Sequence, residues 1–438
     1  MARAVSSVVG FGQFGLRLPS LFFGLLTVAL TMVLGIRLFR DPRIALAAGL
    51  LVSVSDIQVV ASHFARSYAM VSATILIYLI VLDWALRERA RSAPWWILTG
   101  LSILLVYTHY LVWLYIIAVF PVFLARANRS ALRRWLLSSA AAAICSLPWV
   151  IYVLPSLKKA GGLDTLFAGF GTPSPWALAE IYARFTGPAY SGFAVFVSCG
   201  VGFFLLAAGV AAGRRAGSSA PLSGAGGRTR ALPLLRYFVL IPPVLLFILA
   251  VPPIEYPIWG FRHLLPVQAP WALLLGYGAL HIAPRRRYVF PGAVLFLACL
   301  QLIPTSDALL NYWFEPFARV ARVLKSERQP TESLPLYTFE FRETQIMSFY
   351  LADEKNVFSL PAGDAELPGR FWLVCHPFRT FDAERLQRLQ AAGYSSEQER
   401  DFIKRPGDAR GLRLVLLKNP TKLESDTPRK AGIDPAPR

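Results

Sequence analysis

Charge is the scarcest property of this sequence. Asp, Glu, Lys and Arg make up 16% of its 438 residues, and mean hydropathy is +0.48. Roughly a quarter of a soluble domain is charged, so a water-soluble globular fold is excluded. Cysteine is also rare. Cys145, Cys199, Cys299 and Cys375 lie far apart, three of them in apolar runs, with no C-x-x-C pair. That excludes a disulfide framework and offers no zinc motif. Acidic residues number 26 against 45 basic ones, leaving a formal net charge of +19 and a pI near 10.1. The basic excess is spread over short loops between apolar runs, so a nucleic-acid partner is not indicated.

What the sequence does have is hydrocarbon-length segments. Ten runs read as spans, at 20–38, 43–61, 68–86, 94–108, 110–127, 135–154, 190–212, 235–251, 263–283 and 288–305. They predict a polytopic all-α membrane protein of about ten transmembrane helices. Arginine alternates between the two sets of connecting loops. One set holds Arg37, Arg40, Arg43, Arg87, Arg89, Arg91, Arg126, Arg129, Arg133, Arg134, Arg214, Arg215, Arg228, Arg230 and Arg285–Arg287. The other holds only Arg66, Lys158, Lys159, Arg184 and Arg262. The positive-inside rule makes the first set cytoplasmic and puts both ends of the transmembrane part outside. Residues 1–18 then form an external stub. Two readings follow: the first span inserts itself with its N-terminus outward, or the chain begins one span late.

The transmembrane domain is expected over 19–305, with the Gly/Ser-rich stretch 216–230 as a flexible cytoplasmic linker inside it. In the outward segment 155–189, PSPWALAEIYARF has the spacing of a short amphipathic helix at the membrane surface. From 306 onward charges become frequent. LYTFEF, NVFSL, RFWLVCHP and LRLVLLK read as strands, and ETQIMSFYLAD and DAERLQRLQAAG as helices. They predict a small extramembrane α/β domain over 306–418, on the periplasmic side, followed by a disordered tail over 419–438. Strand alternation makes Cys375 a core residue beside an exposed His376.

Three breaks between spans carry polar residues on the outward side. SHFARSYAM supplies Arg66 and Tyr68, YTHY supplies His109 and Tyr110, and IEYPIWGFRHLLP supplies Glu255, Tyr256, Arg262 and His263. Asp56 lies near the outer end of the second span. An arginine beside a membrane is costly unless it snorkels to water or meets an anion. An interfacial belt explains each of these residues singly. A cleft whose arginines hold the phosphate of a lipid carrier explains them together, because guanidinium binds phosphate bidentately. A group leaving as phosphate needs its growing charge met. Sugar transfer to a hydroxyl also needs a carboxylate, as base or as metal ligand, and Asp56 is the candidate. No motif names a cofactor, and a divalent cation is left open.

Motif order adds a family. RLPS at Arg17–Ser20, the stretch Gly35–Phe39, Ser62 with Ala65, Arg66 and Tyr68, YTHY at 107–110 and FRHLLP at 261–266 follow one another along the chain. This series resembles bacterial membrane glycosyltransferases of the GT-C type, the group related to protein O-mannosyltransferases, lipid A aminoarabinose transferases and Rgt-type lipopolysaccharide sugar transferases. The resemblance implies a hexosyl- or pentosyltransferase of the bacterial inner membrane. Its donor would be a polyprenyl-phosphate sugar, and its acceptor a periplasmic glycan, lipid or protein. Arg66, Tyr68, His109, Tyr110, Arg262 and His263 would bind substrate. Two departures stand out. The family's Asp-Glu motif in the first external loop has no counterpart, and His63 and Phe64 replace its Gln-Glu. An enzyme inactive as written, or a non-catalytic lipid-binding relative, therefore stays open. So does a transporter or flippase-like protein for a lipid-linked or anionic substrate.

Overall fold

The computed structural model describes residues 13–64, 66–87, 92–125, 129–159, 173–189, 191–219, 228–252, 258–310, 316–327, 334–339, 347, 351, 356–360, 367–376, 380–402 and 412–426. The N-terminal stub as far as residue 12, Ala65, residues 220–227 of the expected linker, Glu255, Tyr256, most of ETQIMSFYLAD and the tail beyond 426 lie outside them. The chain forms two compact units, Met1–Ala308 and Leu309–Arg438.

The first unit is helical, and its span count corrects the expectation of ten. Among the described residues six helices are long and apolar enough to cross a membrane: Phe14–Phe39, Tyr68–Arg87, Arg129–Tyr152, Gly192–Ala212, Leu232–Ala250 and Val289–Ser306. A seventh is reached if α2 (Pro42–Ser53) and α3 (Asp56–His63), bent by 58° at their junction, count as one. The other runs fail for definite reasons. Ala93–Thr108 has only 16 residues. The run at 110–127 starts as a 3-10 turn, Tyr110–Val112, and continues as two six-residue helices. The run at 263–283 becomes Leu265–Ile282, whose Gln268, His281 and two prolines lower its hydropathy.

The flanking helices follow, in chain order, as α1 (Gln13–Phe39), α4 (Tyr68–Arg87), α5 (Ala93–Thr108), α6 (Trp113–Ala118), α7 (Phe120–Ala125), α8 (Arg129–Lys159), α9 (Ala177–Thr186), α10 (Gly192–Ser219), α11 (Arg228–Ala250), α12 (Leu265–Ile282) and α13 (Val289–Leu310). The interior of the unit is α12. Every residue from Leu265 to Ala279 is buried, and the helix packs on α2, α10 and α11. A helix apolar all round belongs inside a bundle rather than at a lipid face. The helix read as lying on the membrane surface, α9, instead buries Ile181, Tyr182 and Phe185 in the bundle. Its Tyr182 hydroxyl donates to the Val239 carbonyl at 3.0 Å, and Trp271 Nε1 donates to Thr186 Oγ1 at 3.1 Å.

At the arginine-rich end, Asp83 holds α1 against α4. Its carboxylate accepts from Arg87 Nε at 2.8 Å and lies 3.4 Å from Arg37 Nε, while Arg87 Nη2 donates to the Arg37 carbonyl at 2.9 Å. A carboxylate this buried is stable only when paired. Asp83→Asn is expected to destabilise the protein by about 2 kcal/mol, the worth of a charge-assisted hydrogen bond. A thermal melt in detergent checks this, and an unchanged midpoint would contradict it.

The second unit is β-rich. Among the described residues five strands run β2–β1–β3–β5–β4 across the sheet, where β1 is Leu336–Thr338, β2 Val357–Ser359, β3 Arg370–Cys375, β4 Ser395–Phe402 and β5 Leu412–Lys418. Strand β1 is parallel to β2 and β3, and β5 is antiparallel to β3 and β4. Helix α14 (Pro316–Glu327) covers one face through Val320 and Leu324, and α15 (Thr380–Ala391) covers the other through Leu386 and Leu389. Strand β4 was not expected from the sequence. It is a polar edge, joined to β5 by its ladder and by Arg413 against Asp401 at 2.6 Å. His376 is buried, not exposed, and its backbone N–H donates to Asp382 Oδ2 at 2.7 Å. Order also extends past 419: Asn419 Oδ1 accepts from the Thr421 N–H at 3.1 Å and caps α16 (Pro420–Asp426).

Candidate functional site

The three breaks converge. Tyr68 opens α4, His109 closes α5, and His263 sits in the 3-10 turn Phe261–Leu264 ahead of α12. The Tyr68 ring lies 5.7 Å from His109 and 5.9 Å from His263, centroid to centroid, and the two histidine rings are 5.4 Å apart. Tyr110 stacks on His109 at 4.9 Å with its plane turned by 15°. These four rings form one aromatic wall.

Local bonds hold the wall. The His109 backbone N–H donates to the Leu105 carbonyl at 3.0 Å, and Nδ1 of its ring accepts from the Leu111 N–H at 3.2 Å. His109 thus ends one helix and caps the next turn, which leaves Nε2 as the ring's donor in the neutral form. The hydroxyl of Tyr115, on α6, donates to the His263 carbonyl. Beneath the break at Arg66, Ser20 Oγ of the RLPS motif donates to the Arg66 carbonyl at 3.2 Å. A Cβ added at Gly24 would lie 2.0 Å from Ser62 Oγ, so the backbone of α1 packs there directly on the Ser62 side chain of α3. Sequence-distant motifs are therefore in physical contact.

The cations stand beside the wall. The guanidinium groups of Arg66 and Arg262 both act electrostatically on His263, and Arg262 acts on His109 and Tyr110 as well. Arg66 is exposed, while Arg262 is partly buried. Asp56 is set apart. It starts α3, about 12 Å along the helix from the Arg66 end, and its Oδ1 accepts from the Ile57 N–H at 2.7 Å. Arg184 links the two regions. It interacts electrostatically with Asp56 and stacks over the Phe261 ring at 4.6 Å, next to Arg262. Sequence reasoning left Arg184 and Phe261 out of the site. The available signal was that Arg184 is a basic residue on the side disfavoured for positive charge. Among the described residues no group of three or more His, Cys, Asp or Glu is placed to hold a metal ion.

No protein-family model matches the chain, and no curated protein matches it in sequence. Its fold does match a solved structure, ArnT from Cupriavidus metallidurans bound to undecaprenyl phosphate. The TM-score is 0.59 at 14% identity, over 94% of this chain and 86% of that one. The chain is thus a multi-pass membrane protein that shares the fold of ArnT, with a small β-rich extramembrane region. At this identity the likeness reaches the fold and no particular subtype.

Proposed function

We propose that this protein transfers a sugar from a polyprenyl-phosphate donor to an envelope acceptor on the periplasmic side of the inner membrane. The observation that carries the reading is the meeting of Tyr68, His109, Tyr110 and His263 with Arg66 and Arg262, from three separate breaks in the chain. The fold shared with ArnT, a protein crystallised with undecaprenyl phosphate, supports it. In this reading the two guanidinium groups hold the donor phosphate, and the aromatic wall excludes water from it. The bond from the anomeric carbon to the phosphate oxygen breaks while the acceptor oxygen bonds to that carbon from the opposite side. The polyprenyl phosphate leaves as an anion facing the arginines, where preorganised cations stabilise it most. The acceptor hydroxyl gives up its proton to Asp56, oriented by Arg184.

Asp56→Asn is expected to lower transfer at least about a hundredfold, the usual worth of a general base, with donor binding little changed. The check is release of polyprenyl phosphate from a purified donor by the reconstituted protein supplied with envelope acceptors. Full turnover in Asp56→Asn removes the aspartate from this role. Neither binding nor turnover of any polyprenyl-phosphate donor by the unaltered chain would refute the reading as a whole.

A second reading rests on the 58° break between α2 and α3. Interrupted helices that place polar groups at membrane depth are a feature of transporters. Movement of a lipid-linked anion across proteoliposomes without sugar transfer would favour that alternative.

A further inference from the structure

Helix α14 carries a face that no described residue of its own unit covers. Arg319, Arg322 and Lys325 recur every third residue, so they fall within one third of the helix circumference. All three are exposed. The opposite face is committed: Val320, Ala321 and Leu324 are buried with Leu336, Val374 and Leu414 in the core of the sheet. The stripe is therefore held pointing away from its own domain. Among the described residues no carboxylate pairs with any of the three cations. Two arginines of the sheet, by contrast, are neutralised: Arg370 meets Glu397 at 2.9 Å, and Arg413 meets Asp401 at 2.6 Å and Glu399 at 3.4 Å.

Chain length states what lies within reach. The last membrane-length helix runs to Ser306, and α14 begins at Pro316. Ten residues span at most about 35 Å fully extended. The intervening sequence includes Tyr312 and Trp313, the residue types enriched at the headgroup level. A rigid basic stripe tethered this close to a bilayer matches an anionic lipid surface in charge and in position.

We propose that Arg319, Arg322 and Lys325 form a docking surface for anionic phospholipid headgroups, which holds the extramembrane unit to the bilayer. The contact is electrostatic and is lost when salt shortens the screening length. It does not depend on the transferase reading.

The test is amide hydrogen exchange of the full chain in nanodiscs, in neutral lipid and in lipid containing roughly one part in three of an anionic phospholipid. Exchange over 317–326 is expected to slow at least about tenfold in the anionic discs. Molar salt should abolish the difference, and so should the triple variant R319Q/R322Q/K325Q. Exchange in β3 and β5 reports whether that variant is folded. If it is not, the salt dependence of the unaltered chain decides. Equal exchange in both lipids overturns the proposal, as does a difference that survives salt or a folded triple variant. Protection in neutral discs on adding polyprenyl phosphate alone would also overturn it, by assigning the stripe to the donor.

Discussion

Replacing Arg66 or Arg262 by alanine should weaken binding of a polyprenyl phosphate about ten- to hundredfold, because a charge-assisted hydrogen bond contributes roughly 1.5–3 kcal/mol net. The two arginines come from different breaks, yet both act on His263. An anion beside that ring thus feels both. Lysine at either position should restore binding only in part, since it keeps the charge and loses the planar two-point fork. Phenylalanine at His109 should keep the wall's area but remove the ring nitrogen that accepts from the Leu111 N–H, with a smaller loss than either alanine variant. Binding to the detergent-solubilised protein is the measurement, which separates recognition of the lipid phosphate from turnover. Unchanged affinity in both alanine variants would leave these arginines as snorkelling residues of an interfacial belt.

The second large effect concerns folding. A Cβ on Gly278 of α12 would lie 2.0 Å from the Leu205 carbonyl oxygen of α10. The obstacle is backbone, so the side chain cannot turn aside and the helices must separate. Along the same seam, a Cβ on Gly202 would lie 2.8 Å from Trp271 Cζ2, and one on Gly209 would lie 2.9 Å from Tyr277 Cδ1. Small residues at a membrane helix interface let backbones approach this closely, and packing there is the main attraction between helices. Gly278→Val is expected to cost upwards of about 3 kcal/mol, the high end for overpacking, and to leave little monodisperse protein after extraction. Gly100 is the control. An added Cβ there meets nothing within 4 Å, so Gly100→Ala should be neutral or stabilising by up to about 1 kcal/mol. Equal yields and melting points for the two variants would contradict the close α10–α12 contact.

The sequence was most readable where one local signal sufficed. LRLVLLK coincides with β5, Leu412–Lys418, because a strand buried on both faces is a continuous apolar run. Strand β4, SSEQERDF, has no such run, and its pairing depends on a neighbour. Asn419 followed by Pro420 is an N-cap with proline at the first helical position, a local signal that outweighs the polar composition of the tail there. Apolar length alone does not make a helix a membrane span. Residues 263–283 are apolar because α12 is enclosed by other helices. The run from 110 gains its apolar content from pieces broken by a turn.

The candidate site was legible in type but not in arrangement. Breaks bearing Arg66, His109 and His263 could be placed on one side of the membrane from the alternation of arginine. Contact between their rings depends on α4, α5 and α12 being neighbours at that end, which no local pattern encodes. Arg184 shows the same limit. Its role rests on Phe261 and Asp56, lying 77 residues after it and 128 residues before it in the chain.

The central claim is that Arg66 and Arg262 hold one anion between them, and a double-mutant cycle tests it most directly. Affinity for polyprenyl phosphate is measured on the unaltered chain, Arg66→Ala, Arg262→Ala and the double variant. Two arginines sharing a ligand should show a coupling energy of at least about 1 kcal/mol, so that the double variant binds little more weakly than the worse single one. Losses that add within about 0.3 kcal/mol would mean two independent sites and would contradict the shared cleft.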